Sequence, residues 1–462
     1  MLLYVSIGCA ALTLLAFSTS PVSGIVLLFV SKPLIDTTFA QPLIYGLHLT
    51  ELVGALVPVA VFAHILFAGP EQTLARMPCK VIWTIYAADV LLFSLLIGYH
   101  QDLKSGANVF FRSINGFIGF YMLQAFFHDD RRLKILLGAL IFAGVFPMGI
   151  GVYQLVTGTV WVQAQAEGLT RYVGLYHDAF TVRAYAFQTI LAVLLYCALY
   201  ARTNPLLKAG AFAFGALAAV VMLKAYSKAG ILSFAIWSAC WTVLRRNYVA
   251  ALVLAAGGAL VAGYYASEIA ANIARLFHKE IGFLAGTVES SRTFAGRWYG
   301  WQDMMSEWAG FHWLDKVFGS GIVATGAHND YLQMLFHGGL VGLGIYVSLL
   351  AAVGGRILAN LRRRRDPMTV AALMLFLMWL VDTIGLVPSA YPGYQWFVWG
   401  MIGLSLRLRE LEDGRAWEPA RPAERSPAAF DDLLDEARSA GPALAPERRY
   451  PIIAGVEKES LR

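Results

Sequence analysis

The chain has 462 residues, of which 58% are apolar and only 14% are Asp, Glu, Lys or Arg, and its mean hydropathy is +0.60. Soluble globular domains run at roughly 45–50% apolar and 25% charged, so the composition excludes a cytosolic enzyme, a disordered protein and a coiled coil. The net charge of +6 is scattered over short connections between apolar runs, which speaks against a nucleic-acid partner.

Apolar runs of about 15–22 residues recur from Met1 to about Arg407, each long enough to cross a bilayer as a helix. The expected fold is all-α, a polytopic membrane protein of about 12 transmembrane helices. Residues 2–31 read as one span or two, because Pro21 in STSPVSG interrupts the run. No secretory signal is separable from them. Further spans are expected at about 48–67, 81–99, 114–127, 135–155, 184–200, 209–225, 229–244, 248–267, 338–357, 369–387 and 394–408. One set of connections carries Arg76 and Lys80, Arg131, Arg132 and Lys134, Arg202 and Lys208, Arg245 and Arg246, and the run Arg362–Arg365. By the positive-inside rule these face the cytoplasm, together with the C-terminus. An even count would put the N-terminus there as well.

The opposite side holds the longer connections, 33–47, 100–113, 156–183 and above all about 268–337. Connections of that length are usually functional. Residues 1–408 form the transmembrane domain. From 409 to 462 the composition turns to Pro, Ala, Arg and Glu, which reads as a disordered cytoplasmic tail. Cys9, Cys79, Cys197 and Cys240 have no metal or redox spacing and read as unpaired packing residues.

Several cations break the charge rule. Arg171 and Arg183 fall in the 156–183 connection, Lys224 and Lys228 at the outer end of a helical hairpin, and Arg275, Lys279, Arg292, Arg297 and Lys316 in the long loop. Any one of them could snorkel to headgroups. Together they suit an anionic ligand at the outer interface, with diphosphate the natural candidate. Asp382, about one turn below the outer end of an apolar span, needs either a basic partner or a site role, and Asp89 reads as structural.

In the long loop, Arg297 opens a stretch that places Trp298, Trp301, Met305 and Trp308 on one helical face, an amphipathic helix lying in the interface. The stretch GAHNDYLQMLFHGGLVG holds His328, Asn329 and Tyr331, followed by Gly338, Gly339 and Gly342. His328 sits at the water boundary just before a helix re-enters the membrane, with a pKa suited to general-base work. There is no HExxH, no His pair at helical spacing and no P-loop, so no metal and no nucleotide cofactor is expected.

These residues resemble a known family. His328-Asn329, followed by Gly339-x-x-Gly342, looks like the histidine motif of the O-antigen ligase (WaaL) family, within the superfamily that also contains Wzy polymerases and protein O-oligosaccharyltransferases. Arg171-Tyr-Val-Gly174 resembles its Arg-x-x-Gly element. Ser227-Lys228-Ala229 resembles its Ser-Arg-Gly element, with lysine in place of arginine. The resemblance covers about 150–405 and is strongest over 290–345. It implies a GT-C-like membrane glycosyltransferase that moves a glycan en bloc from undecaprenyl diphosphate to an acceptor hydroxyl, with inversion and without a cofactor. O-antigen ligation to lipid A-core in lipopolysaccharide biosynthesis is the leading instance. The expected location is the bacterial inner membrane with a periplasmic site, and the partners are the lipid-linked donor, a lipid A-core or glycan acceptor, and membrane lipids. Carried over, His328 and Arg297 are the catalytic residues, Arg171, Lys228, Arg297 and Arg183 bind diphosphate, and Asn329, Tyr331 and Asp382 support them. The same motifs would serve a Wzy-type polymerase. A transporter of lipid-linked sugars would account for Asp382 and the cations, but not for the long loop.

Overall fold

The computed structural model describes residues 1–44, 46–69, 73–200, 204–245, 267, 271–289, 296–324 and 326–417. The span expected at about 248–267, Arg292 and the tail beyond Trp417 lie outside the described residues. Met1–Arg407 forms one compact unit. Among the described residues, nine helices are long and apolar enough to cross a membrane, so the protein is an all-α, multi-pass membrane protein.

The N-terminal stretch forms two helices, α1 (Leu2–Thr19) and α2 (Pro21–Ile35). Ser20 adopts an extended conformation and caps α2 through Ser23 N, and Pro21 fills the first turn, where a missing N–H costs nothing. Ser6 Oγ donates to Leu34 O, and the Thr13 and Ser31 hydroxyls lie 3.3 Å apart. These contacts make an antiparallel hairpin, so the start of α1 lies level with the end of α2.

The chain continues through α3 (Leu49–Ala68), α4 (Lys80–His100), α5 (Leu103–Phe126), α6 (Asp130–Ala143), α7 (Val145–Thr157), α8 (Ala179–Leu199), α9 (Pro205–Lys224) and α10 (Lys228–Arg245). Asp102, Asp129, Asp178 and Asn204 each cap the following helix through the residue three positions on. The connection expected over 100–113 is almost entirely helix, because α5 begins at Leu103 behind the Asp102 cap. Likewise Arg183 lies inside α8 rather than in a connection.

The long connection carries short helices α11 (His278–Leu284), α12 (Arg297–Gly310) and α13 (Trp313–Phe318). Then come α14 (Asp330–Arg363), α15 (Pro367–Gly385) and α16 (Pro392–Trp417). Two small hairpins complete the structure, Pro42–Ile44 with Leu47–His48 and Gln165–Ala166 with Leu169–Thr170. In the second, Glu167 and Gly168 have φ of 50° and 75°, as a two-residue primed turn needs.

Trp83, Trp379, Trp396 and Trp399 are fully buried in the centre. Two of the indoles find partners there: Trp396 Nε1 donates to Asn115 Oδ1 at 2.6 Å and Trp379 Nε1 to Tyr346 Oη at 3.0 Å. The helices come close because small residues line the seam. A Cβ on Gly119 of α5 would stand 2.6 Å from Trp396 Cα of α16.

α14 is broken near its start. Gly339 has φ 63° and ψ −158°, and a Cβ there would meet the Val317 carbonyl at 2.4 Å. The freed Phe336 carbonyl accepts from Ser320 N at 3.1 Å and from Ser320 Oγ at 3.2 Å. Breaking the helix thus opens a docking point for the segment that carries His328.

Candidate anion-binding site

A cavity of 1510 Å³ opens where α4 meets α5, α7 meets α8, α9 meets α10 and α15 meets α16. Its wall brings together Arg171, Lys228, Arg297 and His328, which are up to 157 positions apart in the chain. Arg183 and Asp382 are not on that wall.

Arg171 follows the Gln165–Thr170 hairpin. Its Nη2 donates to Tyr226 O at 3.1 Å, while its Nε is buried with no hydrogen-bond partner among the described residues. Gly174, with φ 64°, lets the segment turn back, and Gln154 of α7 pins it by accepting from Gly174 N at 2.7 Å. Arg297 opens α12 and donates from Nη1 to Gly385 O at the end of α15. Both guanidiniums bond backbone carbonyls, and among the described residues neither has a carboxylate partner. Burial chiefly, and after it the mutual presence of Arg171, Arg183 and Arg297, depresses the pKa of Arg297. Burial also lowers that of Arg171, where Asp178 pulls the other way. An anion between them would relieve both costs.

The lysines are placed differently. Lys228 donates to both oxygens of Glu280 at 2.7 and 2.8 Å, and Lys279 pairs with Glu167 at 2.9 Å. The wall carries five cations, Arg112, Arg171, Lys228, Lys279 and Arg297, against three carboxylates, Glu167, Asp178 and Glu280. Arg112 is paired with Glu51, which lies off this wall, so the surplus positive charge resides on Arg171 and Arg297.

His328 is exposed to the cavity in a left-handed conformation, φ 42°. Such a backbone costs a non-glycine residue about 1–2 kcal/mol, and here both neighbours hold it. On one side Trp301 Nε1 of α12 donates to Ala327 O at 2.8 Å. On the other, Asn329 caps α14 by accepting from Leu332 N at 3.0 Å and donates to Ile384 O at 3.1 Å. Further back, Ala324 N donates to His337 Nε2 at 3.1 Å and Val323 N to Gln101 Oε1 at 3.3 Å. Burial first, and then the nearby Arg297, lowers the His328 pKa, which keeps the imidazole neutral and able to accept a proton.

Arg183, expected among the diphosphate ligands, is 1% exposed, with Nη2 2.5 Å from Asp382 Oδ1 and its guanidinium 4.8 Å from the Phe180 ring centre. Asp382 also accepts from Tyr394 Oη at 2.6 Å. Arg183 therefore acts as a buried tie between α8 and α15 that lends its charge from behind the wall. Tyr331 is also off the wall; its hydroxyl is 3.3 Å from Thr383 Oγ1, which joins α14 to α15. Asn329 serves as a cap and brace for His328.

Two contributors on the wall, Arg112 and Tyr391, were not singled out from the sequence, and Trp301, expected only on the interfacial face of its helix, is the brace behind His328. Arg112 had a signal, since it is a cation on the side where positive charge is scarce. Tyr391 is fixed by donating to Asp178 Oδ2 at 2.7 Å and by packing its ring 4.2 Å from that of Phe180. Among the described residues no group of three or more His, Cys, Asp or Glu side chains is placed to hold a metal ion. No protein-family model matches the chain, and no curated protein matches it.

Proposed function

We propose that the protein is an inverting membrane glycosyltransferase that moves a glycan en bloc from undecaprenyl diphosphate to an acceptor hydroxyl, in the manner of an O-antigen ligase. The observation that carries this reading is the meeting, on one cavity wall, of two guanidiniums that have no carboxylate partner among the described residues and an imidazole on a left-handed backbone. The diphosphate lies between Arg171 and Arg297. Leu232 of α10 and Ile384 of α15, 51% and 49% exposed, give that wall an apolar flank suited to a polyprenyl chain. The arginine- and lysine-rich connections occupy the other ends of the same helices, which by the positive-inside rule supports a cavity on the non-cytoplasmic side, in this reading the periplasmic face of a bacterial inner membrane.

In the reaction, His328 takes the proton of the acceptor hydroxyl as its oxygen attacks the anomeric carbon. The bond from that carbon to the phosphate oxygen breaks, and its electron pair leaves with the diphosphate on the opposite face, which inverts the centre. Arg171 and Arg297 stabilise the charge that grows on the leaving oxygen, an effect worth about 3–4 kcal/mol per well-placed donor. The base contributes about 10²–10⁴-fold.

The decisive test is transfer by purified protein in lipid nanodiscs, scored by release of undecaprenyl diphosphate. Release should require both a lipid-linked glycan and an acceptor, and Arg297→Ala should be at least as damaging as His328→Ala. Comparing lipid A-core with a second lipid-linked glycan as acceptor identifies ligation or polymerisation. Movement of the donor across the bilayer with no release of diphosphate would establish transport instead, and full transfer by His328→Ala would remove the base role.

A further inference from the structure

A second cavity, of 420 Å³, lies beside the first, and Asn108, Arg112, Phe180 and Tyr391 belong to both walls. It is formed by the end of α2, the start of α3, and parts of α5, α8 and α16, none of which carries a motif noted in the sequence. Its electrostatics differ from those of its neighbour. Lys32 is paired with Asp36, whose other oxygen accepts from Tyr185 Oη at 2.5 Å, and Arg112 is paired with Glu51 at 3.5 Å. Every cation on this wall thus has its carboxylate, so the cavity gives an anion no net attraction.

What the cavity does offer is hydrogen bonding. Gln188 of α8 is 4% exposed and lines it, and its amide Nε2 is buried with no hydrogen-bond partner among the described residues. A buried donor left open costs about 1–3 kcal/mol, and such a group in a native structure calls for an explanation; beside a cavity, a ligand acceptor supplies one. The Thr50 hydroxyl and the rings of Phe39 and Tyr391 share the same wall. A neutral cavity that combines amide and hydroxyl groups with aromatic faces fits a polyhydroxylated ring, whose hydroxyls both donate and accept and whose C–H faces are apolar. Its size falls at the low end of ligand pockets, about 300–1,000 Å³, enough for a short saccharide.

We infer that the second cavity is a neutral carbohydrate subsite continuous with the anion site, a reading that rests on the glycosyl-transfer function proposed above. The saccharide in it is either the first sugar of the donor or the sugar that bears the acceptor hydroxyl.

The test uses the full-length protein in nanodiscs with two simple probes, inorganic pyrophosphate and methyl glycosides of glucose and N-acetylglucosamine, read by ligand-observed NMR. Gln188→Met, which keeps volume but removes the open donor, should weaken glycoside binding about fivefold and leave pyrophosphate affinity within about twofold. Thr50→Val, near the rim, provides a second variant with little risk to folding and should act in the same direction. Arg297→Ala should do the reverse. Glycoside binding unchanged in both Gln188→Met and Thr50→Val, or no glycoside binding by the wild-type protein, overturns the subsite. Pyrophosphate binding that ignores Arg171→Ala and Arg297→Ala overturns the anion site while leaving the subsite standing. A further pair of ligands separates the two sources. If Gln188→Met weakens a polyprenyl diphospho-sugar but not bare polyprenyl diphosphate, the donor sugar occupies the cavity. If it weakens only free glycoside added with polyprenyl diphosphate, the acceptor does.

Discussion

Arg171, Lys228 and Arg297 share a wall but not a role, and the difference lies in what each already holds. A cation bonded only to carbonyls can take an anion at once, whereas Lys228 must first release Glu280. Arg171→Ala and Arg297→Ala are therefore expected to weaken pyrophosphate binding at least tenfold, and Lys228→Ala by much less, as titration calorimetry can determine. The protonation of His328 follows the same charges. Burial first and Arg297 second disfavour the imidazolium, so the imidazole loses its proton below the ordinary histidine range, as the proposed base role needs. Removing that charge in Arg297→Gln raises the His328 pKa, and the acidic limb of the kcat/KM profile should move to higher pH. A limb that stays in place would show that His328 is not the titrating base. That these four side chains share a wall was legible because cations on a charge-poor side and an imidazole in a short motif stand out from an apolar sequence. Their partners were not, since Glu280 and the Gly385 carbonyl lie far away in sequence.

Elements are where hydropathy was least informative. The first half of α5 was taken for a connection because Ser105, Asn108 and Arg112 dilute its apolar content. At helical spacing these residues form one stripe, and that stripe lines the cavity. Arg183 was misplaced for a related reason: the apolar run begins only at Ala184, yet the Asp178 cap starts the helix a turn earlier. The glycines of the histidine motif, by contrast, announced a close approach that the broken α14 makes explicit. Gly339→Ala adds both backbone strain and a clash with Val317, each costing about 1–3 kcal/mol. It should lower thermal stability and expose 319–329 to protease. Trp301→Phe is a milder probe of the same segment. It keeps an aromatic ring but drops the bond to Ala327 O, so turnover should fall about fivefold with an unchanged melting temperature.

Across the whole molecule, the Arg183–Asp382 pair ties two helices 199 positions apart in sequence. Replacing Arg183 alone with Leu leaves a carboxylate buried and unpaired, a loss of about 3–5 kcal/mol, whereas Arg183→Leu with Asp382→Leu should recover much of it. Unfolding midpoints in detergent provide the comparison, and pyrophosphate binding by the double variant should persist if Arg183 is a tie rather than a ligand. The tethers of the 319–329 segment have a consequence for biogenesis. They reach the α4–α5 turn, α12, α14 and the end of α15, so the imidazole finds its place only after nearly the whole polypeptide has been inserted. A nascent or truncated chain lacking its last helices cannot hold His328 in the geometry described above.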